Sequence, residues 1–486
     1  MKITLFVLIL SAVSVSFERN QTETLTSGNP LFTGKNLCNV YDIAASPLGL
    51  FQKELPKLSV LASYNRLGWR DHSVIDIDEN RFVAPIIRAG EPDVAFFELF
   101  YDPSIFRFYD PNGFENSVPL HRFGLTVAAK TRTDVIQMAI SANGFYGKQS
   151  TLENTNQRVI MGLDQLRLDL ATRFHDLVAL GFYVGGDAHI DTLHDHNEIM
   201  EDRWFEGSLP VLGGYVDFGN DESVVKSIAS LQYSSSRFLY VSRSGTGPHS
   251  EGGNENALRE DSLTFSLQTA ADIPVDNVSF EPALLFSISN SRSEILEPKG
   301  NNDNPLDLGE LRDGKYWNEL KTSIGFGSKV KMMDVVTASG EYAFTGRKAD
   351  FGEFYNSTSQ NRSSHLLNFV VKTDMHSYID WLGENRLSPR VGYFFTDGYE
   401  HSADVSSYPP FYPQPFSFIG YRSQAWRYDP ENRYDSHYKT RGFIIGVDGS
   451  VGENFGYDLY LSFIGRSSEG VSRNAVGVGF QTSFNL

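Results

Sequence analysis

Apolar and polar residues alternate with a period of two along most of the chain. In the segment 277–289, Val278, Phe280, Pro282, Leu284, Phe286 and Ile288 alternate with Asn277, Ser279, Glu281, Ala283, Ser287 and Ser289. One face is apolar and the other is polar or small, which is the signature of a strand standing between two different solvents. The same pattern recurs at Leu263-Phe265-Leu267, Leu166-Leu168-Leu170, Phe123-Leu125-Val127 and Phe455-Tyr457-Leu459-Leu461-Phe463. After residue 56 no comparable run has the 3.6 spacing of an amphipathic helix.

Strand length and connection length separate a membrane barrel from a soluble sandwich. The alternating runs extend over about ten to fourteen residues, which suits a tilted membrane-crossing strand better than the strands of soluble sheets. Short connections at 131–133, 272–276, 332–334 and 452–454 alternate with long ones near 189–204, 244–260, 290–315, 348–362 and 400–438. Short turns on one side and long loops on the other are the layout of an outer-membrane barrel. Strand starts are expected near 57, 79, 93, 119, 134, 157, 177, 205, 224, 261, 277, 316, 335, 363, 387, 439, 455 and 473. The prediction is an all-β fold, a transmembrane antiparallel up-and-down β-barrel with an even strand number. Eighteen strands are counted, within a range of 14 to 18, and both barrel ends fall on the short-turn side.

The physical argument requires closure. In hydrocarbon every backbone donor and acceptor needs a partner, so a spanning sheet has no free edge. The apolar face then meets lipid and the polar face lines the lumen.

Composition agrees. The 486 residues carry 42 Lys and Arg against 60 Asp and Glu, a net charge of −18, which argues against nucleic acid or anionic lipid as the main partner. A single cysteine excludes a disulfide scaffold, and 42 Gly with 36 Phe and 23 Tyr favour a large β-protein. Lys2 precedes an apolar run from Ile3 to Val13, with small residues at Ser14 and Ser16. This is the layout of a secretory signal peptide over 1–16. The domain organisation expected is therefore a signal peptide (1–16), an N-terminal periplasmic or hatch segment (17–56) and a barrel (57–486).

The last strand runs to the chain end, with Val476, Val478, Phe480, Thr482, Phe484 and Leu486 on one face. It resembles the C-terminal assembly signal of bacterial outer-membrane barrels, with Phe480, Phe484 and Leu486 in the signal positions. The resemblance implies a Gram-negative outer membrane and the barrel-assembly machinery as a partner. Residues 17–56 lack alternation and contain Ser46-Pro47-Leu48-Gly49-Leu50 just before the first strand. That segment looks like the N-terminal hatch of the fatty-acid-transporter superfamily and is similar to related type IX secretion barrels. The family's Asn-Pro-Ala-Gly-Leu-like motif has Ser for Asn and Leu for Ala here, and 18 strands exceed the 14 expected of that family. A hatch and an unstructured periplasmic arm both fit the segment.

Candidate chemistry falls into three groups. The polar faces place Arg122, Arg167, Asp169, Arg173, Glu281, Glu319, Lys321, Glu341, Arg390, Asp448 and Asp458 toward a lumen. Charges of both signs there either form the transverse field of a porin-like constriction or pair off and fill the interior. On the lipid face they would be costly, about 2–4 kcal/mol for a mid-bilayer Arg or Lys. The longest loop carries Tyr408, Phe411, Tyr412, Phe416, Trp426 and Tyr428 among prolines, a surface for docking or constriction, or a lid packed on itself. His189, Asp191, His194 and His196 are a weak metal-binding candidate in an expected external loop, with a solvated loop as the plainer reading.

No phosphate loop, nucleophile elbow or nucleic-acid stripe is present, and no enzyme activity or cofactor is expected. The function expected is a passive outer-membrane channel or transporter for small solutes, including hydrophobic ones if the hatch resemblance holds. The alternative is a scaffold or partner-binding barrel in protein secretion or surface attachment. Partners expected are outer-membrane lipid, the assembly machinery, and small solutes or an extracellular or secretion partner.

Overall fold

The computed structural model describes residues 58–70, 77–81, 86–91, 94–109, 115–131, 135–150, 156–174, 177–195, 200–219, 223–244, 254–299, 316–333, 335–350, 359–376, 385–402, 405–408, 425–428, 434–452, 454–468 and 471–485. The expected signal peptide, the 17–56 segment, the 300–315 connection and Leu486 lie outside these residues. Among the described residues no helix is long and apolar enough to cross a membrane.

The strands in chain order are β1 (Leu58–Arg70), β2 (Ile77–Arg81), β3 (Ile86–Glu91), β4 (Ala95–Tyr109), β5 (Glu115–Lys130), β6 (Ile136–Ser150), β7 (Asn156–Phe174) and β8 (Val178–Asp195). Next come β9 (Met200–Phe218), β10 (Val225–Ser244), β11 (Asn254–Ala271), β12 (Ile273–Val275), β13 (Val278–Lys299), β14 (Tyr316–Met332) and β15 (Val336–Asp350). The chain ends with β16 (Ser359–Thr373), β17 (Arg386–Ser402), β18 (Val405–Tyr408), β19 (Ala425–Tyr428), β20 (Tyr434–Val451), β21 (Phe455–Ser468) and β22 (Val471–Asn485).

Twenty of these form one antiparallel sheet, and β18 with β19 form a separate hairpin. The sheet closes because β1 pairs with β22 along its length, from Ser59 opposite Asn485 to Arg70 opposite Asn474. Two ring positions are shared. Both β2 and β3 lie between β1 and β4, and β12 continues β11 along β13. The twenty strands therefore occupy eighteen positions, the number expected from the alternation. The molecule is a transmembrane antiparallel up-and-down β-barrel.

Alternation sorts the two faces. Phe123, Leu125 and Val127, then Leu166, Leu168 and Leu170, then Leu459, Leu461 and Phe463 stand exposed on the outside. Their neighbours at Ala128, Asp169 and Asp458 are almost fully buried on the inside. So large an exposed apolar surface requires lipid as its solvent.

The belt's height matches a bilayer. Moving outward from the short turns, the first charged outward groups are Asp261 on β11, Asp397 on β17 and Arg441 on β20. Below them lie 10 residues (262–271), 11 residues (386–396) and 10 residues (442–451), against the 9–11 a tilted spanning strand requires. At this outer boundary Arg259 and Tyr233 hold Asp261, with Arg259 Nε 2.9 Å and Tyr233 Oη 3.0 Å from its carboxylate.

The short turns at Met333 and Gly452 sit where the sequence places them, whereas the connection expected at 272–276 holds β12 and turns only at 276–277. Asp276, Met333 and Gly452 adopt φ of 50°, 51° and 61° in the connections at 276–277, 333–335 and 452–454, the left-handed conformation that reverses a chain tightly.

Two expectations are corrected. Most strands exceed the expected ten to fourteen residues, up to 22 in β13, while β1 with 13 and β21 with 14 stay within it. The external connections are correspondingly shorter: β8 extends to Asp195, β9 starts at Met200 and β11 starts at Asn254. Above the bilayer both faces meet water, so polarity stops alternating while the hydrogen-bond ladder continues. His189, Asp191 and His194 consequently lie within strand β8 and not in a loop, and His196 lies outside the described residues.

Candidate functional site

The inward face of β16, β17, β20 and β21 carries four charges that the register brings together. Lys372 and Arg390 are direct cross-strand partners on β16 and β17. Asp448 and Asp458 are direct partners on β20 and β21. Each like-charged pair alone would be destabilising. Juxtaposed, they neutralise each other. Lys372 donates to Asp448, Arg390 Nη2 donates to Asp458, and Arg390 Nη1 lies 3.5 Å from Asp448.

Arg390 reaches β21 by crossing the intervening strand over Gly446, its direct register partner. A Cβ at Gly446 would lie 2.9 Å from Arg390 Nε and 2.8 Å from the Leu459 carbonyl oxygen. The side chains of Arg390 and Asp458 are 2% and 0% exposed, so this bridge is shielded from solvent. A buried pair of this kind is costly to break, because the surviving charge stays desolvated.

A second cluster lies on β7 to β10. Arg167 chelates Asp169 two residues along the same face, at 2.8 and 2.6 Å. Its guanidinium stacks 3.6 Å from the centre of the Tyr183 ring, a cation–π contact. Tyr183 lies across Gly213, whose missing side chain gives it room, and donates from Oη to Gln232 at 2.8 Å. Arg173 and Asp217 approach to 3.5 Å nearby. In the ring of eighteen, β7 holds the sixth position and β17 the fifteenth, so the two clusters face each other from opposite walls.

Two smaller ionic groups fall on the β13–β15 wall. Glu281 holds Lys329 at 2.9 Å. Glu319 holds Lys321 at 2.6 Å and Arg347 at 2.5 Å. The Lys321 side chain is 43% exposed, so this group opens into the interior space on the external half.

The wall between β9 and β13 is different in kind. Cross-strand hydroxyl pairs join Ser208 to Ser236 at 2.7 Å, Ser234 to Ser262 at 2.8 Å, Thr264 to Ser289 at 2.8 Å and Ser266 to Ser287 at 3.0 Å. The interior is thus lined by paired charges on some arcs and by neutral hydroxyls on another.

Of the candidate lumen charges, Arg167, Asp169, Arg173, Glu281, Glu319, Lys321, Arg390, Asp448 and Asp458 occupy inward positions in these clusters. Arg122 and Glu341 lie on β5 and β15, with their side chains outside the description. Asp217, Lys329, Tyr183, Gln232 and Gly446 join the site without having been singled out in the sequence. The serines at 262, 266, 287 and 289 were visible as the polar half of the alternation, but their pairing depends on register.

In the longest loop, Tyr408 lies on β18 and Trp426 and Tyr428 on β19, where Tyr408 pairs with Ala425 and Tyr428 with Val405. Phe411, Tyr412 and Phe416 lie outside the described residues. In the final strand, Phe480 lies opposite Tyr64 and Phe484 opposite Val60, which puts the expected assembly signal on the closing seam. Among the described residues no group of three or more His, Cys, Asp or Glu is arranged to hold a metal.

No family model and no curated protein matches the chain. Several solved structures do. The ferric citrate transporter FecA in its unliganded form is 8% identical, over 89% of this chain and 79% of that one, with a TM-score of 0.44. The outer membrane transporter YddB from Escherichia coli is 10% identical, over 89% and 81%, with a TM-score of 0.41. The copper transporter OprC is 7% identical, over 89% and 81%, with a TM-score of 0.42. The barrel described above rests on its own register and not on these likenesses.

Proposed function

We propose that the chain is an integral barrel of a Gram-negative outer membrane that passes small solutes by diffusion through its lumen. The observation that carries this reading is the pair of charge clusters held rigidly on opposite inner walls, Arg167–Asp169 against Lys372–Asp448–Arg390–Asp458. Each cluster is neutral as a whole and mostly buried, so it fixes the wall, and the partly exposed Lys372 and Lys321 are the charges a passing solute would meet. The hydroxyl-lined arc supplies neutral hydrogen-bonding partners beside them. No bond is made or broken. Residues 1–16 would direct export, and Phe480 and Phe484 on the closing strand, with Leu486 following in sequence, would engage the assembly machinery.

Liposome swelling tests this function. Vesicles containing the folded full-length protein should swell in small sugars and amino acids faster than empty vesicles. No difference with inserted protein would refute it.

In this reading residues 17–56 act as a hatch at the short-turn end, where β1 begins. Deleting them should raise the swelling rate several-fold, and an unchanged rate would remove the hatch from the account.

The second reading, a scaffold or partner-binding barrel, is favoured by the β18–β19 hairpin. It forms a sheet separate from the barrel wall and sits in the aromatic, Pro-rich loop. Loss of a binding partner on deletion of 405–428, with swelling intact, would favour it.

A further inference from the structure

The outer wall carries a small polar notch at the barrel's closing seam. The register of β20, β21 and β22 sets out its rows. Ile445, Leu461 and Val478 form one row and Phe443, Phe463 and Val476 the next. Both are apolar and exposed, and the rings of Phe443 and Phe463 stack at 5.8 Å. The row above changes character to Arg441, Gly465 and Asn474. Arg441 and Asn474 are both exposed. A Cβ at Gly465 would lie 3.4 Å from Asn474 Oδ1 and 3.8 Å from Arg441 Nε. The arginine and the asparagine therefore stand on either side of a position with no side chain.

Cations gather here although the chain as a whole is strongly acidic. His437, Lys439 and Arg441 follow one another along the outward face of β20, all exposed. Asp397 accepts from His437 at 2.5 Å and lies 3.8 Å from Lys439. Among the described residues Arg441 has no carboxylate within ion-pairing distance. The register also sets Arg70 of β1 beside Asn474.

We propose that this notch binds the phosphate-bearing headgroup of an outer-leaflet lipid, an inference that rests on the barrel being membrane-embedded. The cations sit at the outer boundary of the apolar belt, where lipid headgroups lie. A guanidinium recognises phosphate oxygens through paired charge-assisted hydrogen bonds. The acyl chains descend over Phe443, Phe463, Ile445 and Leu461, so one molecule satisfies both the charged and the apolar rows. A soluble anion would leave the apolar rows unused.

The test uses the full-length protein in nanodiscs of phosphatidylcholine doped with either phosphatidic acid or diacylglycerol, which differ only in the phosphate monoester. Native mass spectrometry then counts the dopant carried out with the protein. Phosphatidic acid should be retained on the order of tenfold more than diacylglycerol, the factor expected for a charged hydrogen bond. Arg441→Gln with Lys439→Gln should abolish most of that preference. Gly465→Leu, which fills the notch without removing a charge, should do the same, and Arg441→Lys should keep part of it.

Equal retention of the two dopants, or an undiminished preference in both the double variant and Gly465→Leu, would overturn the proposal. So would inorganic phosphate binding as tightly as the lipid. Heat-modifiable gel mobility reports insertion separately. Folded, inserted protein without a lipid preference defeats this inference alone, whereas failure to insert defeats the membrane reading beneath it.

Discussion

Arg390 passes over the backbone of Gly446 to reach Asp458, so a residue without a side chain is what allows a guanidinium on β17 to bond a carboxylate two strands away. The inner-wall charges are thereby fixed in place by the fold.

Gly446→Ala should disturb this crossing. The new methyl group meets Arg390 Nε and the Leu459 carbonyl, both closer than 3.0 Å, and overpacking of this kind costs about 1–3 kcal/mol. Gly214→Ala is the control, because its Cβ would come no closer than 3.4 Å to a neighbour. Urea unfolding in lipid vesicles should show a lowered midpoint for Gly446→Ala and little change for Gly214→Ala. Equal midpoints for the two variants would show that the crossing is not tight.

Arg390→Met leaves Asp448 and Asp458 side by side as direct cross-strand neighbours, with Lys372 as the remaining cation of the cluster. Losing one partner of a buried ion pair costs about 3–5 kcal/mol. Adding Asp458→Asn removes one of the two facing carboxylates and should recover part of the loss. A double variant no more stable than Arg390→Met would mean that carboxylate repulsion is not what destabilises the single variant.

At the outer boundary, burial raises the Asp261 carboxyl, but hydrogen bonds from Ser235, Tyr233 and Arg259 outweigh it and hold the group below its ordinary value. A carboxyl depressed in the folded state contributes stability above its unfolded value of about 3.9, and that contribution is lost as pH falls below it. Melting temperature followed between neutral pH and pH ~3 should fall less for Asp261→Asn than for the parent chain. Parallel curves would show that the cluster does not contribute to acid stability.

Much of the fold was legible in the sequence, and the limits have physical causes. The alternation from Val278 to Ile288 marks β13 because one face meets lipid and the other the lumen. The same logic fails above the bilayer, where His189 and His194 sit on a strand wetted on both sides and read as loop. Arg390, Asp448 and Asp458 were each recognisable as inward charges, since a charge on an alternating strand avoids lipid. Their convergence was not, because it depends on register between strands and on Gly446, whose role exists only once Arg390 lies over it. Tyr183 above Gly213 is the same case.

The lumen charges should govern ion selectivity. Lys372→Glu puts a third carboxylate beside Asp448 and Asp458 and should shift the reversal potential in a salt gradient toward cation preference. Lys226→Glu, near the short-turn end of β10 and away from this cluster, is the comparison. Identical reversal potentials for the parent chain and both variants would mean that ions do not pass the cluster.

The most direct test of the account is the conductance of the refolded full-length protein in a planar bilayer, with insertion verified independently. The account predicts discrete, reproducible steps, since a closed barrel with charge-lined inner walls and a solvent-reached Lys321 is proposed to be a path for small ions. Persistent silence from protein shown to be folded and inserted would contradict it.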